Sequence, residues 1–583
     1  MNPKASLLRG LSVVCLVLCL ISFIYGLIYI ILSPGDAPFH NLFGVLFLVA
    51  MAASILLAYL NDVWDVTRRV KICGSVFLIF MLIALPAMSI GQMASSNAYD
   101  PTNASLIYFL VVYPAFLGTF VIGAIQAWLT FSSGAQLLGR GSRWVVKGRP
   151  GQPPRIMRVL HVIVIILMIL GVFLVYILLT DYLGMTQVLV SQNALFMAFF
   201  FLALAALDQK IITTPGTPGR YITGAMGLVM FFLFMLPLIL MPQAVEDAEM
   251  AYADAFGSQW RQEIAPEHEE HFRPYRLSIP AYFAGVLTTD YEYERDNIYY
   301  QGTEGVDEGI ELRYDVYMPP ETDDTLPGED STIIRIHGGA WMAGSKGAAN
   351  MMQMNKYFAS QGYTVFDIQY GLTDRVNLTD LAEMYDFMSF LSDSRLVADL
   401  SLIGSPESVT GSFTLDDMIR HIGIFTYYLE DNADRYDANL DSVFFSGGSA
   451  GGHLSTATAL AIHHGTYDDI FNPEIEVSGY VPFYPGNQAD EILEAIGGSE
   501  EWLDVEQLVL HDSPPCLIYQ GTSDGMVPPE VARSFYESYR AAGNEKCGVI
   551  YLPLAAHASD FQFPGYYNQL FLYYMERFMA KHG

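Results

Sequence analysis

The sequence predicts a chain in two parts. An all-α membrane domain of about seven spanning helices comes first. An α/β domain follows, with a mostly parallel eight-stranded sheet, helices on both faces and a cap insertion. Three observations carry this prediction. At 583 residues the chain is too long for one core. Its charge is split: residues 1–242 hold 13 Lys/Arg and 6 Asp/Glu, whereas residues 243–583 hold 17 and 55, for a net charge of −31. A charge-poor, apolar half reads as membrane-embedded and an acidic half as soluble. Beyond residue 291, short apolar runs alternate with helical patterns.

The apolar stretches lie near 11–32, 43–60, 72–90, 106–131, 159–183, 188–208 and 221–241. Each is read as long enough to cross a bilayer, the second and sixth being the least secure by length. The flanking loops alternate. Lys4 and Arg9 precede the first span; Arg68, Arg69 and Lys71 follow the second. Arg140 to Arg158 follow the fourth, and Lys210 and Arg220 follow the sixth. The intervening loops near 33–42, 91–105 and 184–187 hold no Lys or Arg. The positive-inside rule then places the N-terminus in the cytoplasm and the acidic half outside, in the cell membrane, and an odd number of spans agrees. The first span reads as a retained anchor because its apolar run exceeds a signal-peptide core. No Asp, Glu, Lys or Arg occupies the middle of a span, which favours anchoring over transport. His161, near the start of the fifth span, reads as interfacial.

Residues 243–290 form a connector, helical from Glu246 to Phe256 and then broken by Pro266, Pro274 and Pro280. Strands are expected near 292–301, 309–318, 332–336, 364–370, 442–446, 475–483, 515–520 and 547–553. Helices are expected near 348–361, 415–432, 450–463 and 529–542. The domain boundaries are therefore 1–242, 243–290 and 291–583. A stretch at 373–413, rich in Met, Phe and Leu, is long for a loop; it is either a cap over the site or a packing insertion. The five cysteines make no disulfide framework. Cys15, Cys19 and Cys73 read as packed small apolar residues. Cys516 and Cys547 start neighbouring strands, as buried thiols or, less readily, as a bridge. No Cys/His spacing suggests a zinc site, and no cofactor is implied. A negative field disfavours nucleic acid as a partner.

The chemistry centres on Gly447-Gly448-Ser449-Ala450-Gly451, directly after the apolar run Val443-Phe444-Phe445. A serine on a sharp strand-to-helix turn exposes its hydroxyl as a nucleophile. It needs a base, and the base needs an orienting acid. Two later strands run into loops that supply them: Gln520-Gly521-Thr522-Ser523-Asp524, and Pro553 to His557. Upstream, Ile333 to Ile336 ends in His337-Gly338-Gly339-Ala340-Trp341. Consecutive glycines let backbone N–H groups approach a developing oxyanion, together with the N–H of Ala450.

On these motifs, with Ser446, Gly452, Val527 and Pro528 beside them, residues 290–583 resemble an α/β-hydrolase of the hormone-sensitive-lipase and acetyl-esterase type. The resemblance implies Ser449 as nucleophile, His557 as general base and then acid, and Asp524 as orienting acid. It implies Gly338, Gly339 and Ala450 as the oxyanion hole. The substrate would be a small-molecule, lipid or glycan ester. Ala340 stands where a third glycine is common, and Gly448 precedes the serine where an acid is frequent. Both departures leave the mechanism intact. Asp560 and Glu530 are alternative acids; His337 and His453 read as structural. An acyltransferase, a serine peptidase, or a receptor or transporter carrying a hydrolase-like binding module remain as other readings of the same residues. Oligomeric state is not legible. No family is recognised for the seven spans.

Overall fold

The computed structural model describes residues 3–32, 37–64, 66–133, 155–180, 187–211, 218–269, 271–320, 326–328, 331–347, 351–376, 409–488 and 491–583. Among these, seven helices are long and apolar enough to cross a membrane. They are α1 (Pro3–Leu32), α2 (Ala37–Val63), α3 (Arg68–Ser96), α4 (Pro101–Ser132), α5 (Arg155–Leu179), α6 (Ala194–Ile211) and the pair α7 (Pro218–Phe234) with α8 (Leu236–Phe256). The first four expected spans fall within α1 to α4 and the seventh within the α7–α8 pair; the fifth overlaps α5, which ends at Leu179, and the sixth begins in a separate turn, Val188–Ser191, ahead of α6. Large apolar side chains such as Ile83, Ile90, Leu110 and Ile166 face outward, as a lipid-facing surface requires.

The last span departs from the expected boundary. Its helix does not stop near 241 but runs on through the acidic stretch to Phe256. Ala244, Ala248, Tyr252 and Ala255 recur at helical spacing and are buried, so the helix keeps an apolar stripe after leaving the span. His161, expected to be interfacial, also has a partner. Its Nδ1–H donates to Asp208 Oδ1 at 2.7 Å, and the Asp208 side chain is fully buried. The fifth and sixth spans are thus tied by a polar pair.

The C-terminal half is built on β1 (Glu292–Gln301), β2 (Glu311–Met318), β3 (Thr332–Ile336), β4 (Thr364–Ile368), β5 (Val443–Gly448), β6 (Val477–Phe483), β7 (Cys516–Gly521) and β8 (Cys547–Leu552). Their order across the sheet is β1-β2-β4-β3-β5-β6-β7-β8, antiparallel at β1–β2 and β2–β4 and parallel thereafter. The parallel strands are buried on both faces, which explains their unbroken apolar runs. Cys516 and Cys547 are register partners in the β7–β8 pair, and both are free and buried.

One face of the sheet packs against α9 (Leu415–Tyr436), α10 (Ala450–His464) and α11 (Pro529–Ala541). The other carries α12 (Tyr566–His582) and the helix Met351–Ala359. No apolar stripe marks α12 in the sequence. It is buried from Tyr566 to Met579 on every side, because the membrane half covers its outer face. A single apolar cluster runs from Leu8 in α1 to Met579 in α12. Polar ties cross the same junction. Tyr29 donates to the Gly285 carbonyl at 3.1 Å, and Lys356 Nζ to the Ser96 carbonyl at 2.9 Å. Tyr99 donates to Asp315 Oδ2 at 2.8 Å. Leu372–Thr373 pairs with Thr410–Gly411, but most of the expected cap at 373–413 lies outside the described residues.

Candidate active site

The carboxyl ends of the parallel strands gather the residues singled out in the sequence, as open α/β sheets do. β5 is buried throughout and ends at Ser449, whose backbone is held at φ 56° and ψ −121°. A non-glycine residue at positive φ is strained, and such strain concentrates at functional sites. Two anchors hold the turn: Ser449 N–H donates to the Phe483 carbonyl at 2.9 Å, and His453 N–H donates to the Ser449 carbonyl at 3.0 Å. The glycines are required by crowding. A methyl group at Gly451 would meet the Ile336 carbonyl oxygen at 2.0 Å, so α10 can lie on β3 only without a side chain there.

The loop after β3 passes beside this elbow. A methyl group at Gly338 would lie 2.4 Å from the Gly448 oxygen and 3.3 Å from Ser449 Cβ. Ala340 and Trp341 take left-handed conformations, with φ of 51° and 61°. Ala340 therefore bears the backbone geometry that makes glycine common at its position. Ala450 is the first residue of α10, and the first N–H groups of a helix have no acceptor within it. The structure thus brings Gly338 close to Ser449, with Ala450 next to the serine in the chain and Gly339 next along the loop.

His557 and Asp524 meet at the other side of the rim. Nδ1–H of His557 donates to Asp524 Oδ2 at 2.9 Å, and both residues are buried. The other carboxylate oxygen accepts from the Met526 and Val527 N–H groups, each at 2.9 Å. Asp524 is fixed by these bonds, and it fixes in turn the tautomer that leaves Nε2 as the basic nitrogen. Leu554 and Ala558, flanking the histidine, have φ of 57° and 52°. Of the alternative acids, Asp560 accepts from Tyr484 Oη at 2.8 Å, and Glu530 is exposed.

Tyr484 escaped the sequence reading. It is the first residue after β6, at φ 37°. Its ring centroid is 4.5 Å from that of His557. Its hydroxyl lies 2.9 Å from where a methyl group on Gly448 would sit. One side chain thus links the elbow to the imidazole and places both at one rim. Its position at a strand's carboxyl end was the available signal.

The other histidines near the rim are structural. His337 stacks on Tyr370 at 4.5 Å and donates from Nδ1 to the Gly338 carbonyl at 2.9 Å. His453 accepts from Trp341 Nε1–H at 3.3 Å and donates from Nε2 to the Trp502 carbonyl at 2.8 Å. Burial lowers both to about 4. The unfolded chain therefore takes up protons below pH 6.5 that the folded chain refuses until about pH 4, so acid destabilises the fold through that window. Each site costs up to about 3 kcal/mol at its lower end. Gln in place of His453 can still donate to Trp502 but does not titrate. His453→Gln should lose less thermal stability than the parent between pH 7 and 5 in detergent; equal losses would contradict the assignment.

Among the described residues, no group of three or more His, Cys, Asp or Glu side chains is arranged to hold a metal ion. Residues 314–392 match the BD-FAE family model, from β2 through Gly338 and Gly339 and β4, ending before Ser449. A probable carboxylic ester hydrolase of Mycobacterium tuberculosis, LipM, is 23% identical over 272 residues, 42% of this chain and 53% of that protein. Esterase LipC of the same organism is 27% identical over 153 residues, 22% of this chain and 38% of that protein. The chain thus spans about half the length of the first of these relatives and less of the second. Among solved structures, the apo form of Thermogutta terrifontis esterase 2 is 21% identical, covering 50% of this chain and 92% of that one, with a TM-score of 0.34. The C-terminal half has the α/β-hydrolase fold, and its similarity is to carboxylic ester hydrolases.

Proposed function

We propose that this protein is a membrane-anchored serine hydrolase that cleaves carboxylic esters on the extracytoplasmic side. The bond between His557 Nδ1 and Asp524, beside a serine on a strained elbow, carries the proposal. In it, His557 Nε2 takes the proton from Ser449 Oγ as that oxygen attacks the ester carbonyl. The N–H groups of Gly338, Gly339 and Ala450 receive the oxyanion, a contribution of about 3–4 kcal/mol per donor when one is removed. His557 then gives the proton to the departing alcohol, leaving an acyl-serine. Water, deprotonated by the same imidazole, attacks the acyl carbonyl and releases the acid. The seven apolar helices and the basic loops of alternate sides support the anchoring and the sidedness.

The test is turnover of p-nitrophenyl acetate and butyrate by the full-length protein in detergent, with and without an added alcohol. Acid should be the main product in water. Acyl transfer to the alcohol in preference to water would redirect the assignment to an acyltransferase, and inertness toward both esters would reject it.

A further inference from the structure

Three glutamines are buried where the membrane half meets the loop that carries His557: Gln92 and Gln192 are fully buried and Gln562 is 1% exposed. Gln92 lies in the last two turns of α3, and Gln192 lies just ahead of α6. Gln562 follows His557 by five residues. Its backbone N–H donates to Gln192 Oε1 at 2.6 Å, and its Nε2–H donates to Gln92 Oε1 at 2.8 Å. Gln92 is itself fixed, donating to the Tyr282 and Phe283 carbonyls at 3.1 and 2.9 Å. Tyr282 Oη donates to the Gln192 carbonyl at 2.8 Å. A buried amide without partners costs a few kcal/mol, so this chain of bonds fixes the register between the spans and the loop.

The loop has other holds, but they come from the sheet. Ser559 meets the Tyr519 hydroxyl at 2.7 Å, and Asp560 meets Tyr484. Gln562 is held by side chains of the membrane half. Tyr99, just beyond α3, adds a second contact of the same kind. Its hydroxyl lies 2.1 Å from where a methyl group on Gly347 would sit, in the loop that follows the oxyanion glycines. The outer end of α3 therefore abuts both loops of the site.

We propose that the membrane half positions the general base: Gln92 and Gln192 grip Gln562 and so fix the loop that aims His557 at Ser449. The proposal rests on the hydrolase reading given above. It makes the spans part of the catalytic scaffold as well as an anchor. Gln92, Gln192 and Gln562 act as positioning residues; none of them touches the reacting atoms.

The test uses the full-length protein in detergent or nanodiscs with p-nitrophenyl acetate. Gln192→Met keeps the side-chain volume and removes the acceptor for the Gln562 N–H. Gln192→Glu keeps an acceptor oxygen. A misplaced base should lower kcat about 10-fold to 100-fold. Gln192→Met is expected to show this with KM within about twofold, and with the acid limb of the kcat/KM profile displaced. Gln192→Glu is expected to retain most of kcat. Gln92→Met provides a second, independent arm. Folded, monodisperse Gln192→Met or Gln92→Met with parental kcat and pH profile would overturn the proposal. So would variants that merely unfold, with the folded fraction retaining full specific activity. Parental turnover that survives Ser449→Ala would remove the underlying hydrolase reading. Ser449-dependent turnover indifferent to the glutamines would remove only the positioning role.

Discussion

Ser449→Ala is expected to lower kcat for p-nitrophenyl acetate by about 10⁴-fold to 10⁶-fold. The large effect follows from cooperation. In the proposed mechanism, loss of the Oγ nucleophile leaves His557 and its bond to Asp524 nothing to activate, and only the proposed oxyanion donors would still act on bound ester. The same variant should fold normally. The hydroxyl is not part of the turn's backbone anchors, which are the Ser449 N–H to the Phe483 carbonyl and the His453 N–H to the Ser449 carbonyl. Alanine is also small enough for the crowded elbow. Parental melting temperature together with lost turnover is the expected pair of readings. Turnover within tenfold of the parent would assign the chemistry elsewhere.

Gly451→Ala is expected to have the largest effect on folding. The added methyl group would sit 2.0 Å from the Ile336 carbonyl oxygen and 2.6 Å from that of His337. Both are backbone atoms of β3 and its following loop, so relief requires α10 to lift from the sheet. Overpacking of a well-packed core costs about 1–3 kcal/mol, and more where backbone must move. The folded yield of the hydrolase half should drop sharply. Gly465→Ala is the control. That glycine ends α10 at φ 67° with nothing within 4 Å of the added group, so it should cost only about 1 kcal/mol through backbone strain. Melting curves of the two variants, compared by near-UV circular dichroism, give the contrast.

Much of this architecture was legible because its signals are local. The seven spans announce themselves by apolar length. The eight strands do so by short Val/Ile/Phe-rich runs such as Val443–Phe445 and Leu517–Tyr519. The motif residue Ser449 directly follows β5, and Asp524 and His557 lie in the loops after β7 and β8, so the sheet carries all three toward its carboxyl rim. What stayed hidden depends on partners distant in sequence. α12 is surrounded on all sides, so residues such as Asn568, Gln569 and Glu576 interrupt its apolar face and erase the helical stripe. Two of them find partners across the fold: Gln569 Oε1 accepts from Ser278 N–H, and Glu576 Oε2 from Arg273 N–H. The three interface glutamines and the His161–Asp208 pair are invisible for the same reason. A polar residue acquires meaning only when its partner, up to 470 residues away for Gln92 and Gln562, is known. The helical run past residue 241 was expected as a separate connector because acidic residues begin there, although the stripe of Ala244, Ala248 and Tyr252 continues.

The most direct measurement is covalent labelling of the full-length protein with a fluorophosphonate, followed by peptide mapping. Phosphonylation of a serine oxygen requires an activated hydroxyl beside an oxyanion-stabilising pocket. The adduct is expected on Ser449, stoichiometric, and absent from Ser449→Ala. Ester turnover with no adduct on Ser449, or with stoichiometric label on a different residue, would contradict the account.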